Sequence, residues 1–135
     1  MRHRLIAQEP GFSLIELLVV ISIIGILAAI ALPAFLAQRE KGLDTDAKSL
    51  ARNAVSEVEA CAATDDDYTS CEEADGVLDG TGLDPARLEV TSAGNDDYLV
   101  TATSESANTF TVEKEDGGPP ARTCTGDGGC LGGFW

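Results

Sequence analysis

Hydrophobic residues run almost without interruption through the N-terminal part of the chain. From Leu14 to Leu32 the only polar side chains are those of Glu16 and Ser22. An α-helix over this stretch spans roughly 28 Å at about 1.5 Å per residue, which is close to the thickness of the hydrocarbon core of a bilayer. The pattern predicts one membrane-spanning helix.

After Pro33 the apolar residues fall on one side of a helix. They recur at helical spacing at Leu43, Ala47, Leu50, Ala54, Val58 and Ala62. This period predicts that the helix continues amphipathically to about Ala63, with Gly42 as a flexible joint and with Asp44 and Asp46 at the start of its second half. We expect one long helix whose second half packs on a folded domain.

The rest of the chain alternates between loops and short runs of β-forming residues. Residues 63–85 are rich in Asp, Gly and Thr and predict a loop, whereas the runs 87–91, 98–103 and 109–115 predict strands. The residues expected to face the helix are Val90, Leu99, Ala102, Phe110 and Val112. Residues 117–135 contain too much Gly and Pro for a regular element. These elements predict an α+β fold, with an antiparallel meander of three to four strands against the helix.

Acidic residues dominate the chain beyond the apolar segment. The chain has 23 acidic and 9 basic residues and a net charge of −14 at pH 7. This balance disfavours nucleic-acid binding by the surface as a whole, because DNA binding depends on neutralising phosphates with basic residues. The one histidine, His3, precedes the apolar segment, and no Ser/His/Asp set, phosphate loop or haem-attachment sequence is present. The sequence predicts a protein that is not an enzyme and uses no cofactor.

Carboxylates concentrate in the predicted loop, at Asp65, Asp66, Asp67, Glu72, Glu73, Asp75 and Asp79. They offer oxygen ligands for Ca²⁺, but the spacing of an EF-hand is missing. A solvated acidic loop is therefore the favoured interpretation, and no metal site is predicted.

The chain contains four cysteines, Cys61, Cys71, Cys124 and Cys130. An even number in a small exported domain predicts two disulfides. Cys124 with Cys130 would close a short loop, and Cys61 lies within reach of Cys71. The pairings 61–124 with 71–130, and 61–130 with 71–124, are the other connectivities open. Zinc binding is disfavoured because neither cysteine pair has the C-x₂₋₄-C spacing.

Glu16 distinguishes the apolar segment from ordinary targeting segments. One ionised carboxylate at membrane depth costs about 2.5–3.5 kcal/mol, and a simple single-pass anchor leaves that cost unexplained. A secretory signal peptide fits poorly, because its apolar core is only about 7–15 residues long and ends in small residues. The leader with Arg2 and Arg4 is what the positive-inside rule holds in the cytoplasm, so the acidic bulk is expected outside.

The run Gly11-Phe12-Ser13-Leu14-Ile15-Glu16-Leu17, behind this leader and ahead of Gly25 and Pro33, resembles the class III signal of type IV pilins and of type II secretion pseudopilins. In that family a prepilin peptidase cuts after the glycine and methylates the new first residue. The resemblance implies cleavage between Gly11 and Phe12. It implies a leader over residues 1–11, a transmembrane or filament-core helix over 12–36, and a globular pilin-like head over 37–135 that ends in a disulfide-closed loop.

Cleavage after Gly11 would create an ammonium group on Phe12. A cation and an anion inside an apolar assembly each lose hydration unless they pair. We therefore expect Glu16 to pair with the terminus of Phe12, and the resemblance implies that this pair sets the register between neighbouring subunits. A carboxylate favoured by the helix dipole, at about 0.3–1 kcal/mol, is the alternative interpretation of Glu16.

Gly25 and Pro33 are each unfavourable inside a helix, by about 1 and 3 kcal/mol respectively. The helix is expected to persist in the bilayer, where unpaired carbonyls are costly. The resemblance implies that the segment between these two residues loses helicity in a filament.

The family resemblance implies a structural subunit of a type IV pilus, used for adhesion, twitching motility or DNA uptake. Its expected partners are identical subunits, prepilin peptidase, the assembly platform of the inner membrane, and the membrane itself. The expected location is the inner membrane before assembly and the extracellular fibre afterwards. The alternatives are a type II secretion pseudopilin and a monomeric membrane-anchored binding domain.

Overall fold

A computed structural model describes residues 11–72 and 76–135 of the chain. The leader, residues 1–10, and the acidic-loop residues Glu73 and Asp75 lie outside the described residues. The elements follow the order α1 (Leu14–Asp65), a 3-10 turn (Pro85–Arg87), β1 (Leu88–Gly94), β2 (Asp97–Thr103), β3 (Thr109–Lys114) and β4 (Ala121–Thr125). The described residues divide into two units between Leu36 and Ala37, and the two units are described separately.

In the first unit, α1 carries an apolar surface with nothing packed on it. Ser13 precedes the helix, and Pro33 lies inside it. Large apolar side chains are exposed on all sides of this part of the helix. Examples are Phe12, with an exposed fraction of 85%, Ile30 with 71% and Phe35 with 66%. Among the described residues, α1 is the helix long and apolar enough to cross a membrane, by length and composition.

In the second unit, residues 37–65 of α1 bury one stripe. The buried positions are Asp44, Ala47, Ala51, Ala54, Val58 and Ala62. The predicted stripe is therefore correct at Ala47, Ala54, Val58 and Ala62, whereas Leu43 and Leu50 lie at its half-buried edges. Small residues occupy most of the stripe. The predicted end near Ala63 is also close, because α1 ends at Asp65.

The four strands form one antiparallel sheet in the order β1-β2-β3-β4. Consecutive strands pair throughout, with Val90 opposite Val100 and Val100 opposite Val112. These valines and Ala102 lie in one core with the helix stripe. The predicted α+β architecture, a long helix with an antiparallel meander, is confirmed.

The sheet corrects two expectations about individual residues and segments. Leu99 does not face the helix, because side chains alternate along a strand and β2 buries Tyr98, Val100 and Ala102. The C-terminal stretch does contain a regular element, since β4 pairs with β3 from Thr109↔Thr125 to Glu113↔Ala121. Its Gly and Pro residues lie on either side of this short strand and leave room for it.

A second hydrophobic cluster forms around Phe110 of β3. Phe110 is fully buried against Ala47 and Cys124, and Cys130 and Trp135 pack on them. The rings of Phe110 and Trp135 meet edge to face, with their centroids 5.9 Å apart. This cluster fastens the C-terminal segment to the sheet and to the helix.

Candidate functional site

The first site lies at the beginning of the apolar helix. Gly11, Phe12 and Ser13 precede the helix and are exposed. The hydroxyl of Ser13 accepts a hydrogen bond from the Glu16 backbone N–H at 3.2 Å, and the Glu16 carboxylate accepts one from the Ser13 N–H at 2.9 Å. This reciprocal pair is a capping box, which satisfies two backbone donors that the helix start leaves free.

The capping box bears on both interpretations of Glu16. Capping gives Glu16 a structural role at the start of the helix, as the alternative interpretation expects. The Glu16 carboxylate remains exposed while it accepts the hydrogen bond from the Ser13 N–H. The surrounding side chains are apolar and exposed, including Ile15 at 69% and Leu17 at 60%. Gly25 and Pro33 both lie within the helical bounds of α1, so the described state of this segment is helical.

The second site lies in the head and centres on Asp44. This residue is fully buried, yet its carboxylate accepts three hydrogen bonds. The donors are the Ser106 hydroxyl at 2.6 Å, the Asn108 amide at 2.9 Å and the Gly129 backbone N–H at 2.8 Å. Burial raises the pKa of Asp44, but these hydrogen bonds outweigh burial, so the pKa lies below its ordinary value. The buried carboxylate is stable as an anion.

From its sequence context Asp44 is expected only at the start of the second half of the helix, and this network was not predicted. The signal was present in the helical period, because residues 44, 47, 51, 54 and 58 follow a spacing of three and four that places Asp44 on the buried face. A stripe defined by apolar residues alone does not include Asp44, because its side chain is charged. Nearby, the Lys48 ammonium donates to the Gly129 carbonyl at 2.6 Å, so α1 binds both polar groups of that one glycine.

The cysteines form two disulfides, Cys61–Cys71 and Cys124–Cys130, with Cα atoms 5.8 and 5.7 Å apart. This is one of the three connectivities that the sequence left open. The first disulfide joins the last turns of α1 to the acidic loop, and the second closes the loop that Asp44 holds through Gly129. Each disulfide therefore adds a covalent restraint to a segment that also packs on the core, through Tyr68 and Cys71 in the first case and Cys130 and Trp135 in the second.

Asp65 and Asp67 of the acidic loop take part in local turns, whereas Glu72 accepts a hydrogen bond of 2.9 Å from the backbone N–H of Ser92 on β1. Asp67 accepts hydrogen bonds from the backbone and hydroxyl of Thr69, and Asp65 accepts one from Ser70. Asp65 also lies near the sulfurs of Cys61 and Cys71. Those sulfurs are bonded to each other, so they offer no thiolate to a metal.

A cluster of aromatic and charged groups covers the sheet beside the acidic loop. The rings of Tyr68 and Tyr98 lie 5.1 Å apart, and the Lys114 ammonium lies 4.8 Å from the centroid of Tyr68. The Tyr68 hydroxyl accepts from Lys114 and donates to Glu59, each at 2.7 Å. Burial raises the pKa of Tyr98 far above its ordinary value, so the hydroxyl stays protonated. The cluster therefore ties the end of α1, the acidic loop and the sheet together through ring contacts and hydrogen bonds.

Similarity to known proteins includes a family match at the N-terminal segment and relatives that match longer parts of the chain. The family model for the prokaryotic N-terminal methylation motif matches residues 7–32. Over 63 residues, 47% of this chain and 48% of the relative, the chain is 43% identical to the type IV wide pilus major component PilA4 of Thermus thermophilus. Over 100 residues, 74% of this chain and 58% of the relative, it is 34% identical to a fimbrial protein of Neisseria meningitidis. The chain spans about half the length of the curated relatives it matches.

Proposed function

By its N-terminal methylation motif and its relatives this chain belongs to the type IV pilin family, and on that premise we propose that it is the structural subunit of an extracellular type IV pilus. The observation that carries the proposal is one carboxylate, Glu16, in the apolar and exposed first part of α1, which starts just after Gly11-Phe12-Ser13. The family is a structural one, and the proposed role involves no catalysis and no cofactor.

The first step of the proposed function is cleavage between Gly11 and Phe12 by prepilin peptidase. Both residues lie outside the helix and are exposed, and a Cβ added at Gly11 would meet no atom within 4 Å. An extended and uncovered peptide is what a protease requires. Removal of the leader and methylation of the new amine leave a cationic group four residues before Glu16.

The second step is insertion of the new end into a fibre. In the bilayer, and then between packed helices, the ammonium of Phe12 and the carboxylate of Glu16 both lose water. The carboxylate of an incoming subunit is satisfied when it lies level with the Phe12 terminus of a subunit already in place. Pairing of these charges therefore gives identical helices a common axial register, and the apolar side chains around them supply the contact area.

The segment from Gly25 to Pro33 is proposed to change conformation in the fibre. It is helical in the isolated chain, and both residues weaken a helix. In the bilayer each unpaired carbonyl would be costly, whereas packed protein offers alternative partners. Loss of helicity here would let the apolar helices adjust their lengths as they pack.

Location follows from the same steps. The apolar part of α1 anchors the subunit in the inner membrane with the acidic head outside, and the assembly platform of that membrane moves the subunit into the fibre. The curated relatives that the chain matches are a pilus component and a fimbrial protein, which favours the pilus over a type II secretion pseudopilus.

The test is mass spectrometry of the membrane and of fibres sheared from cells. We expect a peptide that begins with N-methylated Phe12, present in both fractions and enriched in the fibres. The matched variant is Gly11→Ala, which changes the residue before the cleaved bond without changing the charge of the leader, and we expect it to remain uncleaved. Wild-type protein that retains Met1 to Gly11, with no fibre fraction, would overturn the proposal.

A further inference from the structure

Of the four arginines of the head, Arg87 takes part in an ion pair in the described part of the chain, whereas Arg39, Arg52 and Arg122 do not. The ion pairs found there are Arg87–Asp46 at 3.0 Å and Lys114–Glu59 at 3.6 Å. Arg52, on α1, and Arg122, on β4, take part in neither. In a chain with 23 acidic and 9 basic residues, guanidinium groups that pair with no described carboxylate are unexpected.

The ring of Trp135 positions both guanidinium groups. The Arg52 group lies 5.3 Å from the ring centroid and the Arg122 group 5.4 Å from it. The ring itself is held by a hydrogen bond of 3.3 Å from its indole N–H to the Thr111 carbonyl and by its edge-to-face contact with Phe110. The contact between a cation and an aromatic face is favourable. It restricts the two arginine side chains before any ligand binds, so binding costs less conformational entropy.

The same two arginines line a cleft of about 220 Å³ between α1 and β4. Its other lining residues are Val55, Ser56, Val112 and Pro120. The cleft therefore combines two guanidinium groups and one hydroxyl with apolar walls, and no carboxylate lies among its lining residues. This chemistry suits a carboxylate side chain, whose oxygens accept bidentate hydrogen bonds from guanidinium and whose methylene groups contact the walls.

We propose that this arginine cleft binds carboxylate side chains of a second copy of the chain and is a lateral contact between neighbouring heads. The inference rests on the proposed function, because copies are held side by side only in a fibre. A second copy of the chain is the proposed occupant because its many carboxylates are complementary in charge to the two arginines of the cleft. Each copy carries far more carboxylates than cations, so neighbouring heads repel unless local contacts oppose the repulsion. The arginine cleft supplies such a contact and leaves the net charge unchanged.

The direct test uses carbodiimide, which joins an amine to a carboxylate without a spacer. Arg52→Lys and Arg122→Lys, made separately, keep the charge and provide an amine at the arginine cleft. Fibres are formed in cells that express equal amounts of isotopically light and heavy subunits, then cross-linked and digested. We expect peptides that join position 52 or 122 of one isotope to an Asp or Glu of the other, and none of these in detergent-dispersed subunits.

A second measurement does not depend on the lysine variants. Arg52→Gln removes one positive charge at the arginine cleft, and Asn53→Asp changes the net charge by the same amount at the next exposed position of α1. Salt screens the general repulsion between heads. Fibres of Arg52→Gln should therefore need about twice the salt concentration of Asn53→Asp fibres to remain sedimentable.

The outcomes separate the two proposals. Fibres that carry methylated Phe12 but give cross-links only within one isotope, together with equal salt requirements for Arg52→Gln and Asn53→Asp, would overturn the contact and leave the proposed function standing. Cross-links absent from fibres, together with binding of inorganic phosphate or duplex DNA at the arginine cleft of dispersed subunits, would assign the cleft to a different anion and also overturn it. Wild-type cells without a fibre fraction would contradict the proposed function itself.

Discussion

The carboxylate of Asp44 accepts a hydrogen bond of 2.8 Å from the backbone N–H of Gly129, a residue 85 positions further along the chain. Through this contact the buried face of α1 holds the loop closed by Cys124 and Cys130. Ser106 and Asn108 bind the same carboxylate, so one side chain connects the helix, the turn between β2 and β3, and the C-terminal loop.

Replacement of Asp44 should destabilise the head strongly. Asp44→Ala removes the common acceptor of three half-buried donors, and we expect the free energy of unfolding to fall by about 1–3 kcal/mol. The measurement is urea unfolding of the full chain in detergent. Asp46→Ala is the matched control on the same helix. Its partner Arg87 is bound through a carboxylate with an exposed fraction of 69%, and loss of such a pair should cost less than about 1 kcal/mol. Equal losses in the two variants would contradict the role of Asp44.

The lowered pKa of Asp44 predicts how the stability of the head depends on pH. Because its pKa in the folded state lies below its ordinary value, the folded state binds the proton less tightly than the unfolded state. The contribution of Asp44 is therefore fully present above pH about 4 and is lost as the pH falls through the lower, folded-state pKa. The unfolding free energy of Asp44→Asn should decline less steeply below pH about 4 than that of the wild type. Parallel declines would show that Asp44 is not responsible.

Gly129 should not tolerate a side chain. A Cβ at this position would lie 2.7 Å from the Cβ of Asp44, so Gly129→Ala must displace the loop, at a cost of about 1–3 kcal/mol. Fluorescence of Trp135, the only tryptophan, reports that displacement. Gly42→Ala serves as the control, because nothing lies within 4 Å of its added Cβ and alanine should stabilise the helix by about 1 kcal/mol. Unchanged fluorescence in Gly129→Ala would be inconsistent with the close approach.

Glu16→Gln separates the charge of Glu16 from its capping role. Glutamine can accept the hydrogen bond from the Ser13 N–H and so preserve the capping box, but it cannot neutralise an ammonium group. We expect Glu16→Gln subunits to insert into the membrane and to be cleaved after Gly11, while sheared fibres are lost. Ser13→Ala, which removes the capping hydroxyl and keeps the charge, should still assemble. Wild-type fibre yield from Glu16→Gln would refute the register role.

The two disulfides should differ in their local effect. Removal of either pair by double serine substitution should lower the unfolding free energy by about 2–3 kcal/mol, since each closes a short loop. Cys124 packs beside Phe110 and Trp135, so Cys124→Ser with Cys130→Ser should also shift the fluorescence of Trp135. Cys61→Ser with Cys71→Ser should leave that fluorescence unchanged. A shift of equal size in both would contradict the separation of the two loops.

The sequence by itself determined the features that depend on local pattern and composition. A long apolar run with one carboxylate after Gly11-Phe12 is enough to identify a helix long and apolar enough to cross a membrane and the N-terminal methylation motif, because these signals need no partner elsewhere in the chain. The helical stripe through Ala54 and Val58 and the alternation in Phe110-Thr111-Val112 likewise follow from the 3.6- and 2-residue periods. These patterns sufficed for the α+β architecture.

Only the tertiary structure decided which distant polar groups meet. Asp44 is an ordinary helix residue until Ser106, Asn108 and Gly129 surround it, and Arg52 and Arg122 form one cleft because Trp135 lies against both. The disulfide pairing and the strand at Ala121–Thr125 were likewise decided by the fold. The helical period places Asp44 on the buried face, but it does not show which donors meet the carboxylate, because contacts between residues far apart in sequence form only when the fold brings the partners together.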